Sequence, residues 1–132
     1  MNTRAWAVLA GGLAVVGCVS EVPGPPQVVD IDPSDGAVNV SRTGPFVISF
    51  NENMDRSSIA NAVRINRVSD GAPVTVDVDS RCEFPCINDL TFVIEGFSLY
   101  PGTVYRLTVI GARDGTGEVM RTAVTSQFVT AR

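Results

Sequence analysis

Leu99-Tyr100-Pro101-Gly102-Thr103-Val104-Tyr105-Arg106-Leu107-Thr108-Val109 is a turn that opens into a strand. Proline presets its own φ and glycine accepts the dihedrals of a tight reversal, so Pro101-Gly102 ends whatever precedes it. Beyond the turn, Tyr105, Leu107 and Val109 alternate with Arg106 and Thr108. Side chains of a strand point to opposite faces with a period of two, so the apolar set lines a core and the polar set meets water.

The same pattern runs outward on both sides. Val29 and Ile31, then Phe46, Ile48 and Phe50, then Val63 and Ile65, then Val74, Val76 and Val78, then Leu90, Phe92 and Ile94 each mark an alternating stripe. Turn-forming groups separate them at Pro33-Ser34-Asp35-Gly36, Ser69-Asp70-Gly71 and Asp114-Gly115-Thr116-Gly117. Many short alternating strands with frequent turns predict an all-β domain over residues 27–132, an antiparallel β-sandwich of about seven strands. One short helical turn is expected where Asp55 can cap Ser57, Ser58 and Ile59. Asp77 and Asp79 flank Val78 on the outward side of their strand, where charge keeps a sheet face soluble.

The first residues follow a different rule. Arg4 gives a positive start, and Ala5 to Val16 is apolar apart from Gly11 and Gly12. As a helix this run spans roughly 18 Å, too short for a hydrocarbon core of about 30 Å, so it reads as a cleaved signal. Val15-Val16-Gly17-Cys18 resembles the lipobox of bacterial lipoproteins. That resemblance implies cleavage after residue 17 and acylation of Cys18, with 1–17 as signal peptide and 18–26 as a lipidated, proline-rich tether. Pro23, Gly24, Pro25 and Pro26 favour extended geometry there. An aspartate after the lipidated cysteine would resemble an inner-membrane retention signal; Val19 stands there instead, which favours the outer membrane.

Loss of residues 1–17 removes one arginine and no acid, leaving 115 residues with a formal charge of −5. This is enough for one domain and unsuited to nucleic acid, whose phosphates need clustered cations. The chain has no lysine and no histidine. It therefore lacks the commonest transition-metal ligand and the commonest general base, and no Ser/His or Cys/His pair can form. Cys82 and Cys86 remain after acylation of Cys18 and read as a disulfide of an exported protein, closing a small ring worth about 2 kcal/mol. A redox-active pair is the functional rival, though oxidoreductase motifs space their cysteines two apart. A zinc site would need further soft or imidazole ligands.

Five segments in order resemble the bacterial Ig-like domain of the S-layer type. They are Pro33-x-Asp35-Gly36-Ala37-x-x-Val40, Phe50-Asn51-Glu52-x-Met54-Asp55, the Leu99 to Val109 stretch, Asp114-x-x-Gly117 and Phe128-x-Thr130. The chain departs from that family at Glu118, where asparagine is usual, and in the insert that holds Cys82 and Cys86. The resemblance implies an Ig-like sandwich used as a spacer, adhesion or surface-layer module, or as an accessory domain beside an enzyme. It also places Tyr105 as a tyrosine corner, its hydroxyl bonded to the preceding loop. On physical grounds Met54, an adaptable side chain, can fold back over the Phe46, Ile48 and Phe50 stripe as a gap filler.

An Ig topology would bring Asn51, Glu52 and Asp55 to the same end as Asp114 and Glu118, an oxygen-rich set suited to Ca²⁺. Against this, Asp55 serves as a helix cap, Asp114 as a turn former and both glutamates as solvated charges. Copper-binding periplasmic sandwiches share a similar opening but use histidines, and only Met54 and Met120 remain here as thioether ligands. The expectation is a lipid-anchored, non-catalytic envelope module that binds protein or polysaccharide without a cofactor; calcium binding or accessory service to a surface assembly or hydrolase is the alternative. Candidate contacts are Phe84 at the tip of the Cys82–Cys86 loop, which could equally fold inward as a plug, and the segment from Gly96 to Tyr100.

Overall fold

The alternating stripes become strands in a computed structural model that describes residues 24–82 and 89–132. In chain order the described elements are β1 (Val28–Asp32), β2 (Phe46–Phe50), α1 (Arg56–Ala62), β3 (Val63–Arg67), β4 (Pro73–Val74), β5 (Asp77–Ser80), β6 (Thr91–Glu95), β7 (Val104–Val109) and β8 (Val124–Val129). Two four-stranded antiparallel sheets result, ordered β1-β2-β6-β5 and β4-β3-β7-β8. This is the expected Ig-like sandwich.

Phe46, Ile48 and Phe50 face Phe92 and Ile94 within the first sheet, while Ile65, Tyr105, Leu107, Val109 and Phe128 close the core from the second. Phe46 is the central ring, with its centroid 4.8 Å from Phe97 and 5.2 Å from Phe128, the latter edge-on. Such tilted and T-shaped pairs match the electron-rich face of one ring with the positive edge of the other. Met54 is 3 % exposed and packs into this cluster, as the stripe above it suggested.

Four local expectations need correction. Leu90, expected in one stripe with Phe92 and Ile94, precedes β6 and is 37 % exposed, because the inward face of the strand begins at Phe92. Val74, Val76 and Val78 do not form one strand: Val74 pairs with Ile65 in the second sheet and Val78 with Ile94 in the first. The chain crosses between sheets at Thr75-Val76, and every second residue still turns inward, so the period continues although the hydrogen-bonding partner changes. Val29 lies outside the core at 61 % exposure, because an irregularity between Val28 and Asp30 turns Val28 and Ile31 inward instead. Finally, the helical turn extends to Arg56–Ala62, capped as expected by Asp55, whose carboxylate accepts from the Ser57 amide at 3.1 Å.

Register defines two ends. The chain enters at Gln27, which exchanges hydrogen bonds with Asn51. This end also holds α1, the start of β6 and the end of β7; we call it proximal. The opposite, distal end holds the β1–β2 connection, the β3–β4 turn and the β6–β7 connection. Charge also divides by sheet. The charged residues in the strands of the first sheet are Asp30, Asp32, Asp77, Asp79 and Glu95, whereas those of the second are Arg64, Arg67 and Arg106.

Among the described residues no helix is long and apolar enough to cross a membrane.

Candidate functional site

The proximal end gathers the acidic residues that the sequence placed together. Met54 bridges Asp114, the Asp55 amide donates to the Arg113 carbonyl at 2.9 Å, and the Gly115 amide donates to the Asn53 carbonyl. The two loops are thus zipped side by side. Their carboxylates nevertheless serve separate tasks. Asp55 caps α1, accepts from the Ser57 hydroxyl at 2.7 Å and pairs with Arg113 at 3.1 Å. These bonds, led by the Ser57 hydroxyl, hold its carboxyl below the ordinary value. Glu118 is exposed.

Asp114 is 2 % exposed, and its Oδ1 accepts from the Thr116 amide, the Thr116 hydroxyl and the Glu118 amide at 2.9, 2.7 and 2.8 Å. Burial pushes this carboxyl up, but those donors and a hydrogen bond with the Glu52 carboxyl outweigh it and bring it below the ordinary range. The arrangement locks the loop. Among the described residues no three His, Cys, Asp or Glu side chains converge as a metal site.

The Cys18 lipidation site, Cys86 and the Phe84 tip lie outside the described residues, so the Cys82–Cys86 pairing lies outside them too. Cys82 itself follows β5 at the proximal end, its amide donating to the Ser80 hydroxyl at 3.0 Å. Met54 and Met120 sit in the core at 3 % and 6 % exposure.

At the distal end Ser98, Leu99 and Tyr100, the last part of the Gly96 to Tyr100 segment, form one wall of an open cleft of about 450 Å³ with Arg42, Arg67, Pro73, Val74 and Tyr105. Its backbone is fixed from three sides. Leu99 and Arg42 are joined by a backbone bond and by Arg42 Nε donating to the Leu99 carbonyl at 2.9 Å. The buried Tyr105 hydroxyl accepts from the Tyr100 amide at 3.0 Å, the tyrosine-corner bond expected for it. Thr130 Oγ1 donates to the Tyr100 carbonyl at 2.6 Å. The Tyr100 side chain stays 64 % exposed, with the Arg67 guanidinium 5.3 Å from its ring centroid.

Arg67 is itself held by Asp70 through two bonds, at 3.0 and 2.7 Å. The hydrogen bond from Arg67 holds the Asp70 carboxyl at about 2. Among the described residues Arg42 has no acidic partner. Of this cleft the Ser98 to Tyr100 wall and Tyr105 behind it were visible in the sequence. Arg42 and Arg67 come from distant segments with no motif of their own, and only the fold brings them together.

Residues 23–130 match the model of the bacterial Ig-like domain. Comparison with curated proteins gives no match. Among solved structures, the chain is similar to the surface layer protein SbsC, domains 1–6, with a TM-score of 0.57 and 17 % identity. That match covers 83 % of this chain but only 14 % of the SbsC chain. It is also similar to CopC from Methylosinus trichosporium OB3b, with a TM-score of 0.59 and 13 % identity over 80 % of this chain and 93 % of that one. A third likeness is to PcoC, a copper resistance protein from Escherichia coli, with a TM-score of 0.60 and 16 % identity over 79 % and 98 % of the two chains. At these identities the likeness is one of fold. The family match spans most of the chain and agrees with the two-sheet topology, the tyrosine corner and the zipped proximal loops: the chain belongs to the bacterial Ig-like domain family.

Proposed function

We propose that this chain is an exported lipoprotein, anchored through Cys18, that presents one non-catalytic Ig-like domain as a binding module in the cell envelope. The observation that carries the reading is the opposition of its two ends. The chain enters the sandwich at Gln27, and the cleft with the exposed Tyr100 lies at the other end. A tether fixed at one pole leaves the opposite pole free for a partner, an envelope protein or polysaccharide. The likeness to a surface layer protein supports an envelope setting, and the lack of histidine supports a role without acid-base catalysis.

Pro26 is buried in the domain, so the free tether is Val19 to Pro25. At ~3.1 Å per residue in extended geometry, it holds the domain within roughly 22 Å of its lipid. Val19 favours the outer membrane. In this reading Cys82 and Cys86 pair in the oxidising envelope and brace the loop between β5 and β6.

Fractionation tests the anchor. The wild-type protein should sediment with membranes and Cys18→Ala should appear in the soluble fraction; Cys18→Ala in the membrane pellet would refute lipid anchoring at this residue.

A further inference from the structure

We propose that the distal cleft binds an acidic polysaccharide, with one sugar ring stacked on Tyr100 and its carboxylate held by Arg42. The inference deepens the binding-module reading and rests on it.

The first observation is an exposed aromatic on a rigid mount. Tyr100 is held through its amide by Tyr105 and through its carbonyl by Thr130, yet its ring is 64 % exposed. Arg67 covers one face of that ring at 5.3 Å, and the exposure leaves the rest to solvent. Tyrosine presents a large amphipathic surface with little rotamer entropy to lose, and a fixed backbone lowers the cost of binding further. The C–H face of a pyranose suits such a platform.

The second observation is a guanidinium without an acid. Arg42 spends Nε on the Leu99 carbonyl at 2.9 Å, which anchors the group and leaves its two terminal nitrogens for a carboxylate. Arg67, by contrast, is already bound by Asp70 and serves the ring. Guanidinium and carboxylate match as a planar fork, and the charge-assisted bonds they form are stronger than neutral ones.

The third observation is where the cleft lies. It opens beside β3 and β4 of the second sheet, whose charged strand residues are all arginines, while Asp77 and Glu95 of the first sheet lie at the same distal end, Asp77 against Gly96. A polyanion meeting a chain of net charge −4 is repelled over most of its surface and has its approach on the arginine side of the cleft. An acidic peptide fits less well. The strand bordering the cleft is Pro73–Val74, two residues long, and proline offers no N–H for an added strand. An open cleft mixing Arg42, Ser98 and Tyr100 with Val74 also gives no deep apolar pocket for an anchoring side chain.

Calorimetric titration of the purified full chain in detergent micelles tests this, using oligogalacturonate, a neutral galactan oligosaccharide and polyglutamate as probes. Saturable binding is expected for oligogalacturonate alone. Arg42→Ala and Tyr100→Ala should each weaken it at least about tenfold, the loss of roughly one charge-assisted bond or stacking surface, while Tyr100→Phe retains it. Absence of saturable oligogalacturonate binding, equal binding of either other probe, or unchanged affinity in a folded Arg42→Ala or Tyr100→Ala would overturn the proposal. Cys18→Ala should bind as the wild type does, so failure of the cleft and failure of the anchor are read separately.

Discussion

Two buried oxygens show how single residues hold this fold at its two ends. The Tyr105 hydroxyl accepts from the Tyr100 amide, and a typical net hydrogen bond is worth about 1 kcal/mol. Tyr105→Phe should lower stability by that amount in urea melts, leaving the slope unchanged; an unshifted midpoint would show that water replaces the hydroxyl. The Asp114 carboxylate instead gathers three donors from its own loop and a hydrogen bond with the Glu52 carboxyl. Its folded pKa lies below the unfolded value, so between the two the unfolded chain binds more protons. The stability it contributes is therefore present above the ordinary aspartate pKa, about 3.9, and is lost as pH falls through the folded value. Asp114→Asn should cost about 2 kcal/mol at neutral pH, the range for bonds to a charged group, and flatten the acid limb of the stability curve. Unchanged stability and an unchanged acid limb for Asp114→Asn in thermal melts across pH would show that this carboxylate does not anchor the loop.

Among the elements, legibility depended on whether one physical cause set the pattern. β2, β6 and β7 were plain from Phe46, Ile48 and Phe50, from Phe92 and Ile94, and from Tyr105, Leu107 and Val109, because burial on one face enforces a period of two. The cap of α1 was plain because Asp55 acts on its own neighbours. The break between β4 and β5 was hidden, since periodicity reports which side is buried and not which strand supplies the hydrogen bonds. Val29 was misread because an irregularity in pairing with β2 has no signature in side-chain type. The cleft was half legible: Tyr100 stands in an evident turn, but Arg42 and Arg67 reach it only through the pairing of distant strands. Entry into β2 shows a tighter constraint. Gly44 has φ of +73°, and a Cβ there would lie 2.8 Å from Phe97 Cζ. Phe97 packs on Phe46 and cannot yield freely. Gly44→Ala should therefore destabilise by about 1–3 kcal/mol through strain and overpacking, checked by denaturant unfolding. A variant of wild-type stability would mean that the β1–β2 connection can shift to relieve the clash.

For the whole molecule the decisive quantity is orientation. Gln27, where the proposed tether would join, lies beside Asn51 with the zipped loops and Val119 at the same end, whereas Val38 sits in the β1–β2 connection at the other. In the proposed lipid-anchored form, a tether of at most roughly 22 Å would keep the domain near the membrane but could let it tip onto a side. Charge opposes one such tilt: the first sheet carries five acids and would be repelled by an anionic leaflet, while the arginines of the second would be drawn toward it. An upright domain keeps Arg42 and Tyr100 clear of the headgroups, and a domain lying on its second sheet would press the same cleft against them. The two postures separate by distance from the membrane. Val38 and Val119 are exposed at 71 % and 45 %, so Val38→Cys and Val119→Cys each accept a fluorophore without disturbing the core. On vesicles carrying the lipidated chain, a quencher attached to the headgroups should dim the label at position 119 strongly and the label at position 38 weakly. Equal quenching would mean that the domain lies flat, and stronger quenching at position 38 would mean that it stands inverted. In neutral vesicles the contrast should persist, because in the proposed anchored form the upright posture would follow from where the tether joins and not from the leaflet's charge.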